Sequence, residues 1–125
     1  FHFPHMKKVV EHIGYPFSEY LFTMMVNDEN LWTDLAMLYK RPLWMTWNMV
    51  LAKETGVLDR VMFATDFVAA NNDLFGPDPT KDILEWVDLV QNGMNKICKQ
   101  SGWPTFTEKE IMGILHDNAA RLYNL

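Results

Sequence analysis

Cysteine is nearly absent. The chain of 125 residues has one, Cys98, which excludes an internal disulfide and any cysteine-based zinc site. Clusters of positive charge are missing too. Lysine and arginine total 11 against 16 aspartates and glutamates, a net charge of −5, so the electrostatic footprint of a nucleic-acid binder is not there. No apolar run approaches the roughly 20 residues that a membrane-spanning helix needs. Nor is there a nucleophile elbow, a phosphate-binding loop or a dinucleotide fingerprint. No internal repeat and no low-complexity segment is present. Nucleic acid and membrane therefore drop out as expected partners.

What is there is the composition of a globular domain. Hydrophobic residues make up 49 % and charged residues 22 %, and the length suffices for one domain with a core. The first residue is Phe1, so the chain is expected to begin inside a longer reading frame or after processing. The lack of a leader then says little about compartment; a cytoplasmic location is the working expectation.

One stretch organises the rest. Gly56 ends a helical pattern as a glycine just past a helix would. Val61, Met62 and Phe63 follow as a short apolar run, the mark of a strand buried on both faces. Asp66 comes where that strand surfaces. Upstream, Lys7 to Ile13 reads as a first strand, with Val9 and Val10 at its heart and His12 and Gly14 at its end. Pro16 opens a helix whose apolar face is Phe17, Tyr20, Leu21, Met24 and Met25. After a turn at residues 27–30, Leu31 to Leu35 is a second strand. A helix from Leu43 to Thr55 follows, with Leu43, Trp47, Val50 and Leu51 on one side. A polar loop from Val68 to Pro79 leads to a helix from Thr80 with Ile83, Val87, Val90, Met94 and Ile97 along its core face. Gly102 and Pro104 break it. Thr107 to Glu110 matches a capping box and opens a last helical segment, Ile111 to Tyr123, interrupted near Asp117 and Asn118.

Alternating strands and helices with short connections mean parallel strands with helices packed against them. Three strands alone would leave two edges unpaired. The expected architecture is α/β, the C-terminal portion of an eight-stranded β/α barrel of about 250 residues, with residues 1–125 supplying its last three strand–helix units. Helices should cover one side of these strands, and the other side should show residues with no partner in this chain.

Barrel enzymes keep their chemistry at the carboxyl ends of the strands. Asp66 there can bind a metal or take a proton from metal-bound water; it can equally cap a turn. His12 ends the first strand. An imidazole and a carboxylate suit zinc, manganese or iron, although a catalytic zinc usually wants three protein ligands. With one strand between them, their Cα atoms should lie on the order of 10 Å apart, given strand spacing. His2 and His5 fall before the strand, at the opposite rim. His116 belongs to the surface beside Asp117. Glu11 is expected on the other face of its strand in a structural ion pair. Arg60 begins the third strand at the opposite rim, where a salt bridge or a backbone hydrogen bond suits it. Asp34 and Tyr39 flank the exit of the second strand. Arg41 could meet a substrate carboxylate or stay a solvated loop residue. Trp44, Trp47, Trp86 and Cys98 belong to packing.

The segments FPHMKKVVEHIG, NLWTDLA, GVLDRVMFATDF and ILHDNAARLYNL resemble, in order and spacing, the C-terminal part of the amidohydrolase-related family. That family comprises metal-dependent hydrolases and includes aminocarboxymuconate-semialdehyde decarboxylase and related aromatic-acid decarboxylases. The resemblance implies a deformed eight-stranded barrel and a divalent metal, zinc first, with manganese or iron as alternatives. It implies that His12 is a metal ligand or a partner of the bound water, and that Asp66 is a metal ligand and general base. Asn118, Ala119, Arg121 and Leu122 match the family's closing helix. Ala64 and Thr65 replace the usual glycine and serine before Asp66, Val68 replaces a proline, and Ala36 stands where serine is common. The family's early histidine pair and its ligand from the middle strands have no counterpart in this chain. The implied activity is hydrolysis or decarboxylation of a small carboxylate-bearing molecule through a metal-bound water or a metal-polarised group, in an enzyme that can form homo-oligomers. The alternative is a binding or structural module derived from the barrel, without a metal site.

Overall fold

The computed structural model describes residues 3–67 and 77–125. His2, Val68 and most of the expected polar loop lie outside them. The elements run β1 (Lys8–Val10), α1 (Ser18–Asn27), β2 (Leu31–Asp34), α2 (Pro42–Glu54), β3 (Val61–Met62), α3 (Pro79–Asp88), α4 (Met94–Ser101), α5 (Glu108–Met112) and α6 (Asn118–Tyr123). A helix follows each of the first two strands, and such crossovers return the chain in parallel. The sheet order is β1-β2-β3, with Val9 opposite Trp32 and Thr33 opposite Val61. β2 is central, and all four of its residues are buried.

Two strands are shorter than the sequence suggests. β1 stops at Val10 because His12, Ile13 and Gly14 turn left-handed, at φ 59°, 45° and 67°. β3 stops at Met62, and Phe63 sends its N–H to the Ile114 carbonyl, at 2.7 Å, rather than to a strand. Arg60 accordingly sits in a short 3-10 turn, Leu58–Arg60, ahead of β3.

The helix faces also differ. α1 buries Ser18, Leu21, Phe22 and Met25, while Phe17, Tyr20 and Met24 are exposed. α2 buries Met45, Met49, Val50 and Ala52 and leaves Leu43 and Trp47 outside. Both helices carry apolar residues on more than one side, so a period of 3.6 fits two stripes and packing chooses between them. From α3 to α4 the fully buried residues are Trp86, Val90, Met94 and Cys98. Steps of four stay in phase there because a π-helical turn, Leu89–Gly93, adds a residue. Burial also pushes the Cys98 thiol up, consistent with packing. Gly102, at φ 71°, ends α4. Thr107 and Glu110 form the expected capping box. The expected interruption of the last helix is a second π-helical turn, Gly113–Asp117, between α5 and α6.

The main core joins α1, α2, α3 and α4 to the sheet through residues such as Phe22, Met25, Leu35, Met49 and Trp86. The other face is covered in part: Val9, in register with Trp32, stays exposed as expected. Trp32 and Met62 pack there against Leu122 and Ala119 of α6, and the Arg121 guanidinium lies 5.0 Å from the Trp32 ring. The closing helix covers the β2 and β3 part of that side and leaves Val9 of β1 open. Among the described residues, no helix is long and apolar enough to cross a membrane.

Candidate active site

Because both strand pairings are parallel, the carboxyl ends of the strands share one edge of the sheet. The connection after β1 carries His12, β2 carries Asp34 at its last position, and the connection after β3 carries Asp66. β2 stands between the other two.

His12 has φ 59° and ψ 33°, and Ile13 beside it has φ 45°. A β-branched residue in that region costs about 1–3 kcal/mol and needs support from its surroundings. The support is visible. The Ile13 side chain is fully buried, Tyr15 donates to the His12 carbonyl at 2.9 Å, and Phe17 donates to the Gly14 carbonyl at 2.7 Å. Gly14 completes the turn, and a Cβ there would meet the Leu21 Cβ at 3.0 Å. The His12 amide donates to Asp34 Oδ1 at 3.1 Å.

The imidazole is three-quarters buried. Its Nε2 lies 3.7 Å from Glu11 Oε2, and its Nδ1 is buried with no hydrogen-bond partner. Glu11 was expected to face away. With β1 ending at Val10, strand alternation does not govern residue 11, and its exposed carboxylate reaches the ring.

Asp66 lies four residues beyond β3, exposed and left-handed at φ 52°. Thr65, which stands at the resemblance's serine position, accepts from the Phe67 amide through Oγ1 at 3.2 Å. The Asp66 carboxylate has no hydrogen-bond or ion-pair partner among the described residues.

The backbone leading to Asp66 is gripped from the closing segment. Asn118 Nδ2 donates to the Leu58 and Val61 carbonyls at 3.2 and 2.8 Å, and the π-helical turn supplies the Ile114 carbonyl that takes the Phe63 N–H.

The remaining candidates separate from this edge. Arg60 donates to the carbonyls of Asp28 and Leu31 at 2.7 and 3.3 Å, at the amino-terminal end of β2, as its backbone role requires. His5 is exposed. His116 pairs with Asp117 at 2.8 Å on the surface. Arg41 is exposed, donates to the Met37 carbonyl at 3.2 Å and sits 5.5 Å from the Tyr15 ring. Tyr39 OH meets Asp82 at 2.9 Å and Glu85 at 3.1 Å. Burial, then those two carboxylates, push its hydroxyl up and keep it protonated.

The residue that sequence reasoning undervalued is Asp34. It is buried and accepts from both His12 and Ala36. The signal was an aspartate two residues before a turn amide.

As a metal site the arrangement is partial. An unbonded buried imidazole nitrogen and an exposed carboxylate are donor types that a divalent cation takes. Among the described residues, no group of three or more histidine, cysteine, aspartate and glutamate side chains converges.

A family model described as amidohydrolase matches residues 2–125. The chain belongs to the amidohydrolase family. Amidohydrolases are barrel proteins of hydrolase type that usually bind divalent metals, and the parallel strand–helix alternation agrees with that fold. Comparison with curated proteins and with solved structures gave no match.

Proposed function

We propose that residues 1–125 form the C-terminal part of a single metal-dependent barrel domain, and that the enzyme hydrolyses or decarboxylates a small carboxylate-bearing substrate. His12 and Asp66 hold a divalent metal there, zinc in first place and manganese or iron as alternatives. One observation carries this reading. The buried, unpartnered Nδ1 of His12 and the uncommitted carboxylate of Asp66 both follow strand ends at one edge of a parallel sheet. Most buried polar atoms in a structural role are hydrogen-bonded; Ser18 Oγ and Trp86 Nε1 in the core share the lack of a partner.

The metal, when bound, supplies Lewis acidity to a substrate oxygen or to water. The rest falls to side chains of this chain. Asp66 accepts the proton that water loses when it attacks, and its exposure allows that proton to pass to solvent or to the leaving group. The turn fixes the backbone of His12, which limits where its ring can reach. The open flanks of β1 and β3, each paired on one side only among the described residues, are where the rest of the barrel joins. The partners proposed are the small-molecule substrate and, in a homo-oligomer, further copies of the same protein.

The test is metal analysis of the natively purified full-length protein, followed by assay before and after chelation. About one divalent ion per chain, with turnover lost on chelation and restored by zinc, is the expected result. No ion above background, with no turnover on carboxylate-bearing substrates, would instead favour a non-catalytic barrel-derived module.

A further inference from the structure

We propose that Asp34 is the positioning residue for His12: its carboxylate holds the left-handed turn that presents the imidazole at the sheet edge. The inference rests on the reading of His12 as a metal-holding residue.

The ladder between β1 and β2 ends at Val10 opposite Thr33. Beyond it the chain leaves the sheet, and the His12 N–H has no strand carbonyl to meet. Asp34 Oδ1 takes that N–H at 3.1 Å. The same oxygen takes the Ala36 N–H at 3.0 Å, a local turn that fixes the carboxylate before it reaches across to β1. Asp34 is only 9 % exposed, and a carboxylate removed from water needs such bonds, which are stronger to a charged acceptor than to a neutral one.

The neighbouring side chain works on the other half of the same junction. Thr33 Oγ1 donates to the Val10 carbonyl at 2.6 Å. The last two residues of β2 therefore hold a carbonyl and an amide on either side of the point where β1 turns. Three successive left-handed residues, with a β-branched one in the middle, do not hold that shape unaided.

What the clamp presents is a ring whose Nδ1 is buried and unbonded. No hydrogen bond from Nδ1 orients the imidazole, and Glu11 Oε2 stands 3.7 Å from Nε2, beyond hydrogen-bond reach, so the backbone that Asp34 bonds sets where the ring starts from. Residues that orient a metal-holding histidine usually act on the ring's second nitrogen. Here the same task is done through the main chain.

The experiment is zinc titration of the chelated full-length protein in three forms: wild type, Asp34→Asn and Asp34→Ala. Asparagine keeps an oxygen acceptor in place, so its affinity should stay within about threefold of wild type. Alanine removes the acceptor, and affinity should fall by about tenfold to a hundredfold, the range for lost orienting partners, while circular dichroism and thermal unfolding show a folded protein. A folded Asp34→Ala protein that binds zinc as tightly as wild type would overturn the proposal. Should that variant fail to fold, amide hydrogen exchange of the wild type decides: the His12 amide should be slow, and exchange as fast as in an unstructured segment would overturn the clamp. Absence of zinc binding from wild type itself would overturn the metal reading beneath, a failure distinguishable from loss in the variant alone.

Discussion

The two edges of the three-stranded sheet are built to opposite standards. At the amino-terminal edge, Lys8 meets Asp28 at 2.9 Å, and Arg60 donates to the Asp28 and Leu31 carbonyls. The Lys8 hydrogen bond holds the Asp28 carboxyl below its usual range. Asn118 ties the approach to β3 from the closing helix. At the carboxyl edge the chain is left-handed after every strand, at His12 and Ile13, at Met37 and at Asp66. An imidazole nitrogen there is buried without a partner. Strained backbone and unsatisfied groups persist only where the rest of the structure holds them. The difference teaches that charged side chains brace the amino-terminal edge, while at the carboxyl edge strained turns are held by bonds from Thr33 and Asp34 and leave one imidazole nitrogen unbonded; we read the two as a barrel's stability and catalytic faces.

The largest expected effect is at the carboxyl edge. Asp66→Asn in the full-length enzyme should lower turnover by about a hundredfold or more, since it loses the proton acceptor and the charge. Stability should stay within about 0.5 kcal/mol, because asparagine also tolerates a left-handed backbone and the site is exposed. Steady-state kinetics together with urea unfolding check both halves, and a large stability loss without a turnover loss would break the comparison.

Asn118→Ala should do the reverse. It strips the donor from the Leu58 and Val61 carbonyls and should cost about 2–4 kcal/mol in urea unfolding. A cost near zero would show that the closing helix does not hold β3. Arg60→Met should cost about 1–3 kcal/mol by removing its charged donor from two backbone carbonyls, with kcat on the full-length enzyme unchanged. A fall in kcat with stability intact would place Arg60 at the wrong edge.

The smallest effect concerns pH. Burial pushes the Glu110 carboxyl up, but hydrogen bonds from Thr107 and Lys53 outweigh it and hold it below its ordinary value of 4.5. A depressed carboxyl contributes stability that is full above its unfolded value and is lost as pH falls through the folded one. Glu110→Gln keeps an acceptor for the Thr107 cap and should flatten the acid limb of a Tm-against-pH profile, by under about 1 kcal/mol for so accessible a pair. An unchanged profile would remove Glu110 from the account.

Much of this architecture was legible in residues. Val9 and Val10, the LWTD run and Gly56 marked strands and a helix end, and the Thr107–Glu110 box set the start of α5. Family membership followed from motifs spread along the chain. The burial of α1 and α2 was not legible, because Leu43 and Trp47 compete with Met45 and Met49 for the same period and only packing decides. Strand ends were not legible either. Nothing in the residue type of Ile13 announces a positive φ; the turn is imposed by Gly14, by burial of Ile13 and by the bond from His12 to Asp34. His12 and Asp66, the proposed site residues, were visible as residue types near strand ends. Asp34 was seen as a flank and not as a clamp, since its role depends on a strand 22 residues away in sequence.

The central claim is that His12 and Asp66 serve one metal at one edge of the sheet. Anomalous diffraction at the zinc edge, from crystals of the natively purified full-length protein, tests it most directly. The account predicts a single strong peak coordinated by a ring nitrogen of His12 and a carboxylate oxygen of Asp66. A peak that touches neither residue, or the two side chains at opposite ends of the sheet, would contradict it.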